Sequence, residues 1–165
     1  MRRLDRKKIA ATFTIASLAL TLSSCAGAGP NAATRVIKQV TDGVEKTVGE
    51  IKLLHILLVA QSDGTAVLVG TFVNDGATPE QLTSISVNGI PALVTPTAPV
   101  IAPNQPLIFS GDSANALAVI PGLNVKPGRH VTMQVSFKQS GSETLEVLVR
   151  DRSGEFANVG ATLLN

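Results

Sequence analysis

Only a few side chains of this sequence have the chemistry of a soft-metal ligand or a strong nucleophile. The 165 residues include one cysteine, two histidines and two methionines, namely Cys25, His55, His130, Met1 and Met133. Thiolate, thioether and imidazole groups select copper and zinc over harder cations. Any site of that kind must use these positions. The strands or loops that contain them determine whether their side chains can lie close enough to bind one ion.

Cys25 lies at the end of a segment that has the three parts of an export signal. A start with five basic residues precedes an uncharged stretch at residues 9–22, which is shorter than the roughly 20 residues of a membrane-spanning helix. The run Leu-Ser-Ser-Cys at residues 22–25 is typical of a lipobox. It predicts a signal peptide at residues 1–24, cleavage before Cys25, and diacylglyceryl (palmitate-type) modification of the Cys25 thiol.

Two other interpretations of this segment stay open. An ordinary signal peptide could contain a cysteine near its cleavage site by chance. The pair Arg2 and Arg3 could indicate twin-arginine export, although the following residues do not continue that pattern. If the lipobox is used, two acyl chains on Cys25 give stable attachment, whereas a single chain binds only marginally. We therefore expect a protein anchored at the extracytoplasmic face of the cell membrane.

Removal of the predicted signal changes the charge of the chain. Five of the 14 basic residues and one of the 12 acidic residues are lost, so that the net charge changes from +2 to −2. No basic patch remains to bind nucleic acid. The absence of Trp and Tyr makes a site that stacks sugars or bases hard to build. Because Cys25 is the only cysteine, no internal disulfide is available and packing must hold the domain together.

Short apolar runs separated by Gly, Pro and Asn turns predict an all-β protein. In residues 131–150 apolar and polar side chains alternate on both sides of a central turn, which is typical of an antiparallel hairpin with one wet face. Residues 51–60 are apolar on both faces and favour a strand covered on both sides. Five prolines make residues 91–106 mainly a surface connection. In residues 35–48 the valines at 36, 40 and 44 have helical spacing, but Asp42 and Gly43 indicate a turn, and a first edge strand at 35–41 is favoured. Further strands are predicted at residues 65–73, 82–88, 92–95, 107–109 and 116–120.

These segments predict a single cupredoxin- or immunoglobulin-like β-sandwich of about seven to nine strands at residues 35–150. A flexible tether at residues 25–34 precedes it, and the weakly patterned residues 151–165 are treated as a C-terminal tail. In the strand at residues 82–88, Leu82 is expected to stand apart from the inward side chains. The alternation predicts a common core that contains Val131, Val135, Phe137, Leu145 and Val147.

Four motifs in the C-terminal half follow one another in a characteristic order. They are Ile-Ala-Pro-Asn-Gln-Pro-Leu at residues 101–107, Pro-Gly-Leu at 121–123, Val-Lys-Pro-Gly at 125–128, and the alternating hairpin that follows. This layout resembles the PCu(A)C-type copper chaperones over roughly residues 50–150. Small actinobacterial lipoproteins of unknown role share the layout together with a lipobox. The resemblance implies a cupredoxin-like β-sandwich.

The copper ligands of that family are not matched here. The resemblance implies two histidines and two methionines, including a His-x-Met motif just before the Gly-Leu turn. The corresponding stretch in this sequence, residues 115–120, reads Asn-Ala-Leu-Ala-Val-Ile and contains neither residue type. We therefore carry over the fold of the family, expect no cofactor, and do not assign the copper site.

The remaining metal-ligand candidates are His55, His130 and Met133. His130 and Met133 are three residues apart on one predicted strand, so their side chains should point to opposite faces. We expect a surface histidine and a core methionine, which cannot close on one ion. His55 lies in the apolar run at residues 51–60 and is interpreted as a core or sheet-edge histidine.

No enzyme motif stands out. Neither Gly-x-Ser-x-Gly nor His-Glu-x-x-His occurs, and the lone cysteine is assigned to lipid attachment. The sequence therefore favours a lipid-anchored, noncatalytic binding domain of the cell envelope, and its expected partners are the membrane and an envelope protein. The alternative is a copper or metal chaperone with a degenerate or relocated site, and a third hypothesis is an enzyme with an unrecognised site.

Overall fold

The computed structural model describes residues 42–160, which contain eleven strands and one short 3₁₀ helix at Gly154–Phe156. Three of the strands have only two residues. The strands are β1 Val44–Val48, β2 Ile51–Ala60, β3 Ala66–Asn74, β4 Glu80–Val87, β5 Ile90–Pro91, β6 Leu93–Thr95, β7 Val100–Ile101, β8 Leu107–Ile108, β9 Leu117–Ile120, β10 His130–Phe137 and β11 Gly141–Arg150.

The main strand order is β5-β4-β10-β11-β2-β3-β9-β6, which curls into a nearly closed sandwich. Strands β1, β7 and β8 add to it by pairing with β2, β4 and β3. The neighbours β11 and β2 run parallel, with Val149 opposite Leu58. The predicted all-β sandwich is confirmed. None of the residues from 42 to 160 belongs to a helix long and apolar enough to cross a membrane.

The hairpin of β10 and β11 shows the predicted alternation. Its polar residues face solvent, and the five side chains predicted to share a core are all buried in the main apolar cluster: Val131, Val135, Phe137, Leu145 and Val147. The ring of Phe137 makes an edge contact with that of Phe72, with 5.9 Å between centroids. This contact connects the hairpin to β3 in the middle of the core.

Leu82 does not stand apart as expected. It is 1% exposed and lies opposite Phe137. The register between β4 and β10 shifts at this point, so that one extra residue, Thr83, is inserted in β4. A bulge of this kind changes the alternation of side chains along a strand. It turns Leu82 to the same side as Ile85, which regular spacing would not allow.

Strand β2 is covered on both sides, as its apolar pattern predicts. One side belongs to the main core, and the other packs Leu57 and Val59 with Val69 and Phe156 in a second cluster. Phe156 belongs to residues 151–165, which the sequence analysis separates as a tail. Residues 154–159 thus contribute packing to the sheet.

The proline-rich segment at residues 91–106 contains β6 and β7 as well as loop, with Leu93 and Val100 exposed. The first strand that the structure describes is β1. The predictions of a strand at residues 35–41, a tether at 25–34 and a signal at 1–24 lie outside the described residues.

Candidate functional site

Strand β9 contains most of the stretch that corresponds to the ligand motif of the copper chaperones. It pairs with β6, which brings Leu93 opposite Val119 and Thr95 opposite Leu117. Paired residues lie on the same face of a sheet, so these four side chains share one face. The alternate residues of β9 point the other way, since Ala118 and Ile120 are fully buried in the core.

Apart from Thr95, the outer face of this ladder is apolar. Leu93 is 65% exposed, and Leu117 and Val119 are half-buried. We call these three side chains the β6–β9 face. Asn115, which precedes β9, accepts a hydrogen bond from the backbone N–H of Ile108 and donates one to the carbonyl of Pro106. This amide anchors the entry to β9 without adding a ligand to the face.

A groove of about 450 Å³ lies beside this face, between the end of the described chain and the loop before β9. Its apolar wall includes Leu117, Phe109 and Val159, and its charged lining residues are Asp112 and Glu155. No Lys, Arg or His lines it within the described part of the chain. We call it the acidic groove.

His130 and Met133 do not form a site. His130 is exposed at the start of β10, whereas Met133 is fully buried between its partners Leu145 and Val87. Their side chains lie on opposite faces of the strand, as the spacing of three residues implies.

His55 lies at an irregularity in β2 where the pairing register shifts between Leu54 and Leu57. Its φ of 55° is in the left-handed region, which histidine visits more often than most residues with a side chain. A Cβ at Gly70 would come within 2.5 Å of the Ile56 Cδ1 and 3.3 Å of the carbonyl oxygen of His55. A side chain at position 70 would therefore crowd the bulge, where His55 is half-buried.

Within residues 42–160 no group of three or more His, Cys, Asp or Glu side chains is placed to hold a metal ion. His55, His130 and Met133 lie in separate environments, as described above. The predicted lipidation site, Cys25, is outside the described residues.

Glu80 is a buried carboxylate that the sequence analysis missed. It is 4% exposed at the start of β4. It accepts hydrogen bonds from the backbone N–H groups of Gln81, Gln139 and Ser140 and from the Ser140 hydroxyl, at 2.7–3.0 Å. Burial alone would raise its pKa, but these hydrogen bonds outweigh burial and hold the pKa below its usual value. No periodicity marks Glu80, because its partners Gln139 and Ser140 lie about sixty residues further along the chain.

The surroundings of Glu80 indicate a structural role. The neighbouring Asn74 is also buried and donates to the carbonyls of Thr78 and Ile101, while its oxygen accepts from the N–H of Gly76. These hydrogen bonds connect the end of β3 to the loop before β4 and to β7. Glu80 and Asn74 therefore hold one end of the sandwich together.

No protein-family model matches the sequence, and no curated protein does either. Solved structures do match the fold. An apo PCuAC domain from PmoF1 has 22% sequence identity and a TM-score of 0.56, and the match covers 66% of this chain and 99% of that domain. A copper-bound PCuAC domain from PmoF2 has 20% identity, a TM-score of 0.57, and coverage of 66% and 98%. The apo PCuAC domain of PmoF2 has 19% identity and a TM-score of 0.55, with coverage of 67% and 98%.

These matches extend over almost the whole length of each PCuAC domain. Because only about one residue in five is identical, these matches establish the fold. Whether the chain has metal ligands must be judged from its own residues. The chain has the cupredoxin-like β-sandwich fold of the PCuAC domains.

Proposed function

We propose that this chain is a lipid-anchored, noncatalytic binding protein at the extracytoplasmic face of the cell membrane, where it contacts another envelope protein. The lipobox at residues 22–25 supports the attachment. The only cysteine of the sequence stands directly after an uncharged segment of export-signal length. In the sequence, the β-sandwich of residues 42–160 follows this predicted anchor.

The β6–β9 face is the observation that carries the proposal. Leu117 and Val119 occupy the strand in which the family resemblance locates a His-x-Met motif, and Leu93 lies across from Val119. Hydrocarbon side chains offer no electron pair to a copper ion. They do gain free energy when a partner removes them from water. Single exposed aliphatic residues are ordinary, but here the exposed Leu93 adjoins the half-buried Leu117 and Val119 on one ladder.

Three carboxylates of residues 42–160 have displaced pKa values, and none of the three has the raised pKa of a general acid. The Thr65 backbone N–H, followed by the Thr65 hydroxyl, lowers the pKa of Asp63, and the Ser153 hydroxyl lowers that of Asp151. The pKa of Glu80 is also lowered. A general acid or base works best with a pKa near the ambient pH, and these three groups are shifted away from neutrality.

Site-specific photo-cross-linking in cells tests the proposal. The photoreactive residue p-benzoylphenylalanine would replace Leu93 in the anchored protein, and in a matched control it would replace Val100, which is 59% exposed on β7. We expect a cross-linked envelope protein of defined mass from position 93 and much less of it from position 100. Equal products at both positions, or none at position 93, would contradict the proposal.

The second candidate function is copper delivery through a relocated site. The structural comparisons favour this candidate as far as the fold is concerned, since one of the matching PCuAC domains is copper-bound. Its available ligands in the described chain are His55, His130 and the buried Met133. Tight Cu(I) binding that depends on the two histidines would be its signature.

A further inference from the structure

A row of aliphatic side chains crosses four neighbouring strands on the outer side of the sheet. Val59 on β2 pairs with Val67 on β3, and Val67 pairs with Val119 on β9. The same Val119 pairs with Leu93 on β6. Val59 and Val67 are fully buried, Val119 is half-buried, and Leu93 is 65% exposed. The row is therefore continuous across the four strands, but its side chains become accessible to solvent from β9 onward.

The chain's own C-terminal residues cover the buried end of this row. Phe156 packs with Val59 in the second apolar cluster, and Val159 lies against the same cluster. A Cβ at Gly160 would come within 3.1 Å of Cγ2 of Val67, so the backbone lies directly on that side chain. A polypeptide segment with one aromatic and one aliphatic anchor thus already occupies half of the face.

The acidic groove begins where this cover ends. Val159 and Gly160 form one wall, and Leu117, which belongs to the β6–β9 face, forms another. Its volume of about 450 Å³ is within the range of ordinary ligand sites. The groove and the β6–β9 face together form one surface that continues from the covered half of the row.

The charge of this surface has one sign. Asp112 and Glu155 line the groove and make no ion pair or hydrogen bond with another residue of the described chain. Neither Arg150 nor Arg152 lines the groove. Arg150 pairs with Asp42 at 2.6 Å, and Arg152 donates to the carbonyl of Ala157 at 3.0 Å. A complementary partner therefore brings positive charge beside its apolar side chains.

We propose that the acidic groove and the β6–β9 face bind an extended segment of an envelope protein in which aliphatic side chains are flanked by Lys or Arg. This inference rests on the proposed binding function and names its partner class. The aliphatic side chains of the partner pack on Leu93, Val119 and Leu117, beside the segment of this chain that contains Phe156. The Lys or Arg groups of the partner pair with Asp112 and Glu155. The partner is proposed to be a polypeptide because a segment of this chain, from Phe156 to Gly160, already covers the adjoining half of the same row.

Fluorescence anisotropy with the full chain and three labelled nonapeptides tests this inference. The first peptide is Gly-Ser-Lys-Leu-Val-Leu-Lys-Ser-Gly. The second has glutamates in place of the lysines, and the third has serines in place of the three aliphatic residues. We expect the first to bind, and the other two to bind about tenfold or more weakly, since each lacks one half of the complementarity. Equal binding of all three peptides, or no binding of the first, would overturn the inference.

Matched variants locate the binding. Leu93→Ser and the double variant Asp112→Asn, Glu155→Gln should each weaken the first peptide by about tenfold. The controls Val100→Ser and Glu45→Gln change exposed residues that do not line this surface, and they should leave its affinity unchanged. Unchanged binding in the Leu93 and double variants would place the peptide elsewhere and refute the assignment. If the peptide binds only after residues 161–165 are removed, those residues occupy the surface in the full chain. That result would also refute the proposed partner.

A Cu(I) competition on the same samples separates this inference from the broader function. Failure of the peptide to bind, with no histidine-dependent Cu(I) binding, would refute the peptide site and leave a binding protein that uses another surface. Tight histidine-dependent Cu(I) binding would instead refute the proposed function, and with it the inference that depends on it.

Discussion

Ser140 donates both its backbone N–H and its hydroxyl to Oε2 of Glu80, at 2.7 and 2.8 Å. Ser140 belongs to the turn between β10 and β11, whereas Glu80 begins β4. The N–H of Gln139 donates to the same carboxylate at 3.0 Å. One buried carboxylate thus fixes the tip of the β10–β11 hairpin to the neighbouring strand β4. Hydrogen bonds to an ionised acceptor are stronger than those between neutral groups.

Loss of this carboxylate should destabilise the domain. We expect Glu80→Ala to lower the free energy of unfolding by about 1–3 kcal/mol, because the donors of the turn lose their acceptor. Glu80→Gln should have a smaller effect, since it keeps one oxygen. Urea denaturation measures both variants. Glu146→Gln provides a control, because Glu146 is exposed and bonds only the hydroxyl of Thr132. Parental stability in Glu80→Ala would contradict a stabilising role.

The same group should make stability depend on pH in the acid range. The folded pKa of Glu80 is lowered, so its contribution is fully present above the unfolded value of about 4.3. It is lost as the pH falls through the lower, folded pKa, because the native state must then bind a proton that it resists. Asp63 and Asp151 also have lowered pKa values. The difference between the parent and Glu80→Gln, measured from pH 7 to pH 3, isolates the part due to Glu80, and a constant difference would contradict it.

Phe137 should be among the most sensitive core positions. It is 5% exposed, contacts Phe72, and lies opposite Leu82 at the bulge. Truncation of a buried Phe to Ala typically costs about 3–5 kcal/mol. We therefore expect a clear fall in Tm for Phe137→Ala and almost none for Leu93→Ala, whose side chain is exposed. A Tm within about two degrees of the parent in Phe137→Ala would refute the assigned packing.

Membrane attachment should depend on the thiol of Cys25. We expect Cys25→Ala to abolish incorporation of radiolabelled palmitate and to leave either an uncleaved precursor or a released protein. The reason is that the lipid is added to that sulfur, and the sequence contains no second cysteine. Cys25→Ser is a closer control of shape and should behave in the same way. Equal labelling of parent and variants would exclude the lipobox interpretation.

Cu(I) binding with the strength of a chaperone is not expected. Met133 is fully buried and His130 is exposed on the opposite face of β10, so that these two cannot share an ion. A site that draws on His55 and His130 would have at most two ligands from the described residues. Such a site discriminates poorly among metals. Competition against a Cu(I) chelator compares the full chain with the double variant His55→Ala, His130→Ala. Tight, stoichiometric binding that the double variant loses would favour the copper-delivery function.

The residue pattern alone was sufficient to predict the hairpin of β10 and β11 and the directions of its side chains. Side chains alternate with a period of two on a strand, and one wet face makes that period visible as alternating polarity. For this reason the burial of Val135 and Phe137, and the opposite directions of His130 and Met133, could be predicted. The absence of His and Met before the Gly-Leu turn is likewise a property of the sequence, since coordination depends on residue type.

Tertiary structure decided the features that depend on pairing between distant segments. Leu82 faces the core only because a bulge at Thr83 changes the alternation of β4 where it pairs with β10. The row from Val59 to Leu93 requires three separate ladders, and Glu80 reaches donors in a turn about sixty residues away. Periodicity along one strand indicates which side chains share a face. It does not indicate which strand lies alongside or at what register, because these are set when the whole sheet closes around its core.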